Sequence, residues 1–309
     1  MHTVTDTFVH EGLFYAGADD YLAGTVPFVQ AGLAAGDPVL VAVPGPNLAR
    51  IRSALDGQGR AVRFVDMSVA GRNPGRIIPW VLHAFIAEHP GTRPRIIGEP
   101  IWAGRTAQEY AAAAQHEALI NAAFTGRAAT ILCPYDTTRL DPQALIEAEG
   151  THPVLVEDGH RRASEAYAPD AIVARHTGPL PAPGGPVVSW RFDEPAALPG
   201  LRQLAADQAR LAGLSASRGV DLQLAVTELA ANSLTHTGAG GVVRFWCTAE
   251  DLVCEVEDGG RLTNPLAGRL PPAEDSTGGR GLLIVNHLCD LVRVHSGPDS
   301  CTVRLYLRR

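Results

Sequence analysis

Lysine is missing from this sequence, and all 26 of its basic residues are arginine. A P-loop lysine, a Schiff-base lysine and a lysine general base are therefore excluded along the whole chain. Acidic residues outnumber basic ones by 33 to 26, which gives a net charge of −7. A dedicated nucleic-acid binder usually carries a basic face, so we expect no direct nucleic-acid partner.

Long apolar runs are also missing. No stretch of about 18 uninterrupted apolar residues occurs, so we expect neither a spanning helix nor a membrane partner. The segment Met1–Asp6 has no basic residue and no apolar run behind it, which predicts no signal peptide. The five cysteines form no C-x-x-C pair. An odd count without a framework is typical of a reducing cytoplasm, where we expect the protein to act.

Proline and glycine concentrate in residues 177–186, which hold four prolines and three glycines. Such a segment cannot form a helix or a central strand and is typical of a semi-extended linker. The sequence therefore predicts two domains, 1–176 and 187–309, joined by 177–186.

The first domain alternates strand-like and helical runs. Val39–Val43 is a buried apolar run before Pro44, and Ala129–Cys133 is predicted to end before Pro134. This alternation predicts an α/β domain with a mostly parallel sheet. In residues 187–309, two helical runs precede two β-rich runs, and a short helix and two more strands follow. That order predicts an α+β sandwich with a mixed or antiparallel sheet and helices on one face.

Three clusters in the second domain match the parts of a nucleotide. Glu228 and Asn232 are four apart on a predicted helix, so their side chains share one face. Carboxylate and amide oxygens suit a nucleotide-bound Mg²⁺, and Glu228 could also accept a proton from an attacking hydroxyl. Asp258 follows a strand and could accept a hydrogen bond from the amine of adenine. Gly259 and Gly260 would let the backbone approach the base.

The third cluster opens a predicted helix and comprises Gly278, Gly279, Arg280, Gly281 and Leu282. Glycines at a helix N-terminus offer free N–H groups to a phosphate, and the arginine adds a pairing charge. The preceding segment, 264–276, is predicted to form a lid. Taken singly, the clusters could be a polar helix face, an ordinary Asp-Gly turn and a flexible loop. Their order and placement together predict an ATP site.

Residues 187–309 resemble the anti-sigma-factor serine kinase type of the GHKL (Bergerat) ATP-binding fold. The matching segments are 192–212, 228–236 and 279–290. The resemblance implies ATP and Mg²⁺ as cofactors, with Asn232 as metal ligand, Glu228 as base and Asp258 on adenine. It also implies a sigma factor and an anti-anti-sigma protein as partners, and a homodimer. The pattern departs at Leu262, where the usual Asp-x-Gly-x-Gly has a glycine.

The first domain resembles the MEDS sensory domain (methanogen/methylotroph, DcmR-like). The resemblance rests on segments such as Gly98-Glu99-Pro100-Ile101-Trp102 and Cys133-Pro134-Tyr135-Asp136. It implies a RecA-like sheet and a sensing role for a small-molecule ligand that the sequence does not identify. After the first strand, residues 16–20 lack a P-loop lysine and include two carboxylates, so we predict no nucleotide hydrolysis in this domain.

Ligands of open parallel sheets bind at the carboxyl ends of the strands. The candidate residues for a sensory pocket therefore lie at predicted strand ends or on a helix that could face them. They are Glu99, Trp102, His116, Tyr135 and Asp136. The alternative is that these side chains pack in the core. Histidines 10, 83, 89, 116 and 152 show no regular ligand spacing, so no metal site is predicted in this domain.

Three functions remain open from the sequence: an ATP-dependent protein kinase, a non-catalytic ATP-dependent switch, and a histidine kinase. The last requires a helical hairpin with an exposed phosphoacceptor histidine. Only His160 and His176 lie near such a position, and neither has an acidic residue next to it.

Overall fold

The computed structural model describes residues 8–271 and 279–309. The chain divides into two compact units, of which the first ends at His176 and the second begins at Thr177. Within the described residues, no helix combines the length and the apolar character that crossing a membrane requires.

The first unit is built on a seven-stranded sheet. Its strands are β1 (Val9–Tyr15), β2 (Val39–Val43), β3 (Val62–Asp66), β4 (Arg95–Gly98), β5 (Thr130–Asp136), β6 (Val154–Glu157) and β7 (His160–Ala163). Their order is β3-β2-β4-β5-β1-β6-β7, and every pair is parallel except β6 with β7. The mostly parallel sheet predicted from the sequence is confirmed.

Helices cover both faces of this sheet. They are α1 (Ala18–Ala35), α2 (Gly45–Ala54), α3 (Met67–Ala70), α4 (Ala84–Ala87), α5 (Ala107–Ala123), α6 (Pro142–Thr151) and α7 (Pro169–His176), with a π-helical segment at Ile77–His83. Apolar residues of α1 and α2 share one core with β1, β2 and β3. Helix α5 lies on the opposite face and begins with a capping box between Thr106 and Glu109.

Strand β5 does not end before Pro134 as the sequence predicted, but continues to Asp136. Thr130 donates its N–H towards β4, to the carbonyl of Pro94. Because alternate N–H groups of a strand point the same way, position 134 also faces the β4 side. Pairing with β4 stops at Leu132, so the missing N–H of Pro134 removes no ladder hydrogen bond.

The second unit has a five-stranded antiparallel sheet. Its strands are β8 (Val188–Phe192), β9 (Gly241–Cys247), β10 (Asp251–Asp258), β11 (Leu291–Ser296) and β12 (Cys301–Arg308), in the order β11-β12-β10-β9-β8. Helices α8 (Leu198–Leu211), α9 (Ala216–Thr237) and α10 (Gly281–Leu288) contribute to a single core with one face of the sheet. The predicted α+β class, with an antiparallel sheet and helices on one face, is confirmed.

Candidate functional sites

Helix α9 positions the Glu228 and Asn232 pair. Its buried stripe of Leu222, Val226 and Leu229 packs into the core and fixes the rotation of the helix. Glu228 and Asn232 therefore lie half-buried at the border of that stripe. The packing of the helix holds both side chains, and Asn232 reaches the adjoining cavity.

The start of α10 lies directly against this pair. A Cβ added at Gly281 would lie 2.9 Å from Asn232 Nδ2 and 3.0 Å from Glu228 Oε2. Only glycine allows such an approach without displacing one of the two side chains. The fold thus brings together two clusters that lie about fifty residues apart in the sequence, and it places a helix N-terminus beside a carboxylate and an amide.

Asp258 is the last residue of β10, and both of its carboxylate oxygens are fixed. The hydroxyl of Ser233 donates to Oδ2 over 2.5 Å, and the N–H of Gly260 donates to Oδ1 over 2.8 Å. A Cβ at position 260 would lie 2.8 Å from Asp258 Oδ1, so a larger residue here would push against the carboxylate. Each oxygen retains a lone pair that could accept from a ligand.

A cavity of about 460 Å³ opens between α9, β10 and β12. The predicted residues Asn232, Asp258, Gly260 and Leu282 line it. Eight more residues line this cavity to which the sequence analysis assigned no role in the site. They flank the predicted motifs or lie on the last strand. They are Leu229, Ser233, His236, Thr237, Val256, Thr263, Cys301 and Val303.

Two other predicted residues of this site lie just before α10. Gly279, with a φ of 85°, and exposed Arg280 lead into α10. Gly278 and residues 272–276 of the predicted lid lie outside the described residues. Leu262, which stands where a glycine is usual, lines the cavity and donates its N–H to Ser296 Oγ over 2.9 Å. Its side chain adds an apolar group to the cavity wall.

A second cavity, of about 440 Å³, lies in the first unit at the carboxyl ends of its strands. Glu99, Trp102 and Asp136 line it, as the position of ligands in parallel sheets predicts. His116 and Tyr135 are not among its lining residues. Tyr135 neighbours Asp136 on β5, and successive side chains of a strand point to opposite faces. Tyr135 instead donates to Glu117 on α5 over 3.2 Å.

Glu99 is the most perturbed acid of this cavity. It is 3% exposed and accepts hydrogen bonds from Asn47 Nδ2 at 2.9 Å and from the hydroxyl of Tyr21 at 3.2 Å. Burial raises its pKa to about 8, and these two hydrogen bonds only partly oppose that effect. Tyr21, Asn47, Arg50 and Arg139 also line the cavity and carried no sequence motif.

The turn after β1, where a P-loop would stand, is closed by a carboxylate. Ala16 donates its N–H to Asp20 Oδ2 over 2.7 Å. A carboxylate at this point would repel a phosphate, and Gly17 and Ala18 of the same turn line the cavity. The carboxylate in this turn therefore favours a ligand other than a nucleoside triphosphate.

Replacement of Glu99 by glutamine should alter the pH dependence of stability. The folded pKa of Glu99 lies above its unfolded value, so its contribution is complete below about pH 4.5 and is lost as pH rises through about 8. Relative to wild type, Glu99→Gln should gain up to about 5 kcal/mol in unfolding free energy over that interval. Urea denaturation at several pH values measures this difference. Exposed Glu157→Gln is the control, and a difference that does not change with pH would contradict the interpretation.

Comparison with known families supports the same division of the chain. Residues 9–153 match the model of the MEDS family (MEthanogen/methylotroph, DcmR Sensory domain). Residues 193–307 match the model of the histidine kinase-like ATPase domain. Curated proteins give no match to this sequence. A solved structure, of the RsbU and RsbW domains of Rv1364c from Mycobacterium tuberculosis, is similar with 20% identity and a TM-score of 0.31. That similarity covers 40% of this chain and 32% of the other. The chain thus combines a MEDS sensory domain with a histidine kinase-like ATPase domain that follows it.

Proposed function

We propose that the second domain binds ATP with Mg²⁺ and phosphorylates a serine or threonine of an anti-anti-sigma protein. The observation that carries this proposal is the contact of Gly281 with Asn232 and Glu228, across one cavity from Asp258. The function deepens the ATPase family assignment and rests on the motif resemblance of 228–236 and 279–290.

The cavity fits an adenine ring. Apolar side chains of Leu229, Val256 and Leu282 line it, and such walls suit the faces of a flat base. Asp258 is held by Ser233 and Gly260, so its free lone pairs could accept from the exocyclic amine. Its carboxylate orientation is thus set before a ligand arrives.

The neighbouring residues fit Mg²⁺ and phosphates. The amide oxygen of Asn232 is a hard ligand of the kind that Mg²⁺ takes from proteins. The first N–H groups of α10 have no partner within the helix and offer partial positive charge, and exposed Arg280 adds a full one. These residues would hold the cofactor, and ATP when bound supplies the phosphoryl group for transfer.

Glu228 is the proposed general base. Its carboxylate lies beside Gly281 and Asn232 and could accept the proton of an attacking serine or threonine hydroxyl. Asn232 and the start of α10 would orient the reacting groups, and a hydroxyl brought by a protein partner would be the attacking group.

The proposed regulatory unit consists of residues 1–176, a linker at 177–186 and the ATP-binding domain 187–309. A small-molecule ligand in the cavity around Glu99, Trp102 and Asp136 would control kinase activity. The partners would be a sigma factor and an anti-anti-sigma protein in the cytoplasm, and the active form would be a homodimer.

Two alternatives differ in what ATP does. In the first, ATP binding alone changes partner affinity, without transfer. In the second, the protein is a histidine kinase. However, His160 lies in strand β7. His176 is the last residue of α7, and its Nε2 lies 2.7 Å from Glu147 Oε2. Neither position resembles a phosphoacceptor on a helical hairpin. The observations therefore favour the protein kinase and the non-catalytic switch over the histidine kinase.

Asn232→Ala should weaken Mg²⁺-dependent ATP binding by about tenfold or more, because a hard oxygen ligand is lost. Calorimetric titration with ATP in the presence of Mg²⁺ and in the presence of a chelator measures this. Thr235→Ala, at an exposed position on the same helix, is the matched control and should bind as wild type does. Unchanged affinity of Asn232→Ala would refute its assignment as a metal ligand.

Gly281→Ala should also weaken ATP binding while the domain stays folded, because the added Cβ would displace Asn232 or Glu228. The control is Gly219→Ala in α9, where the added Cβ would meet only Ala209 at 3.6 Å. Circular dichroism checks folding, and fluorescence titration with a nucleotide analogue measures affinity. Equal affinities of the two variants would show that the close contact has no role in binding.

Glu228→Gln should abolish phosphate transfer while ATP binding remains, since glutamine keeps the shape but accepts no proton. The assay incubates the full chain with radiolabelled ATP, Mg²⁺ and candidate anti-anti-sigma proteins. The kinase function is supported if the wild-type chain transfers labelled phosphate to a partner and Glu228→Gln does not. If wild type binds ATP but labels no partner, the non-catalytic switch replaces it.

A further inference from the structure

Four side chains that the proposed function does not use meet inside the first unit. They are His10 on β1, Glu117 on α5, Cys133 on β5 and His152 directly after α6. Each is at most 1% exposed. One ligand atom from each residue can be chosen so that all four lie within 4.8 Å of one another.

Four of the distances within this cluster lie close to those between the ligands of a bound metal ion. His10 Nε2 lies 3.4 Å from Cys133 Sγ and 3.5 Å from Glu117 Oε2. Glu117 Oε2 lies 3.1 Å from His152 Nε2, and Glu117 Oε1 lies 3.7 Å from Cys133 Sγ. Ligands bound tetrahedrally at zinc bond lengths of about 2.0–2.3 Å are separated by roughly 3.3–3.7 Å. The four groups are therefore close enough together for one such ion to contact all of them after small adjustments.

Both imidazoles are oriented with Nε2 towards the centre. His152 Nδ1 lies 2.8 Å from the carbonyl oxygen of Ala148, which can only accept, so Nδ1 carries the proton. His10 Nδ1 lies 3.1 Å from Asn121 Oδ1. Asn121 Nδ2 donates to the carbonyl of Thr151 over 2.8 Å, which fixes its oxygen towards His10. Such outer hydrogen bonds are what orient histidine ligands in metal sites.

This orientation directs lone pairs of both imidazoles at a buried carboxylate. The hydroxyl of Tyr135 donates to Glu117 Oε2. With both Nδ1 atoms protonated, however, neither imidazole Nε2 that faces this oxygen has a proton to donate to it. Although His152 Nε2 is only 3.1 Å from Glu117, it has no hydrogen-bond partner among the described residues. Buried acceptors in this arrangement require a cation or an added proton.

We propose that His10, Glu117, Cys133 and His152 form a closed Zn²⁺ site. Two imidazoles, one thiolate and one carboxylate are all donors that zinc takes, and a thiolate disfavours Mg²⁺ and Ca²⁺. The carboxylate and the thiolate together carry two negative charges, which the ion neutralises in the apolar interior. Four protein ligands leave no position for a substrate, so the ion joins β1, α5, β5 and the end of α6.

Sequence spacing predicted no metal here because the ligands come from four elements, and no two of them form a local motif. The site is independent of the ATP cavity, which lies in the other unit. A test of the zinc site, whatever its result, therefore does not bear on the proposed kinase function.

Metal content is measured on the purified full chain by mass spectrometry, and after chelator treatment zinc alone is added back. We expect about one zinc per chain. Cobalt substitution should give thiolate-to-metal charge-transfer absorption. Cys133→Ser should lose this absorption, whereas Cys254→Ser, at a buried cysteine of the other unit, should keep it.

A positioning residue gives a second readout. Asn121→Ala leaves all four ligands but removes the partner of His10, and it should weaken zinc binding by about 10–100-fold in competition with a chromophoric chelator. Two results would overturn the proposal: a wild-type chain that retains and rebinds no zinc or cobalt, or bound metal that Cys133→Ser leaves unchanged in amount and spectrum. The first needs no variant, so misfolding of a variant cannot obscure it.

Discussion

The close approach of α10 to α9 is the interaction on which the proposed ATP site depends. A Cβ at Gly281 would lie within about 3 Å of Asn232 and Glu228, so a larger residue would require one of these side chains to move. The close approach places the proposed metal ligand Asn232 and the proposed base Glu228 beside the start of α10, where we propose that the phosphates bind. Asp258 is held by separate hydrogen bonds from Ser233 and Gly260, so the proposed adenine and phosphate contacts have separate structural supports.

The MEDS sensory domain separates two kinds of chemistry on the two faces of one sheet. At the carboxyl edge, on the side of α1, the cavity holds the carboxyl of Glu99, whose pKa burial raises to about 8. On the side of α5, His10, Glu117, Cys133 and His152 form the closed cluster proposed to bind zinc. Alternation along β5 produces this separation, since neighbouring Tyr135 and Asp136 face opposite sides.

Local patterns in the sequence were sufficient for the fold classes and for the helices and strands that bear the motifs. Periodicity predicts an element wherever its side chains alternate between core and solvent, as on α9. The predicted end of β5 was wrong because a proline costs a strand a hydrogen bond only where a neighbouring strand pairs with it, and the sequence does not show where that pairing stops. The buried cluster and the roles of Tyr21 and Asn47 around Glu99 depend on contacts between distant segments, which no spacing within one segment encodes.

The central claim is that the adenine base lies between α9, β10 and β12. Photolabelling of the full chain with an azidoadenine analogue of ATP in the presence of Mg²⁺, followed by peptide mapping, tests it most directly. The account predicts adducts, competed by unlabelled ATP, in peptides that contain residues 256–264 or 301–303, which border the cavity. Adducts confined to residues 9–153, or none that ATP displaces, would contradict it.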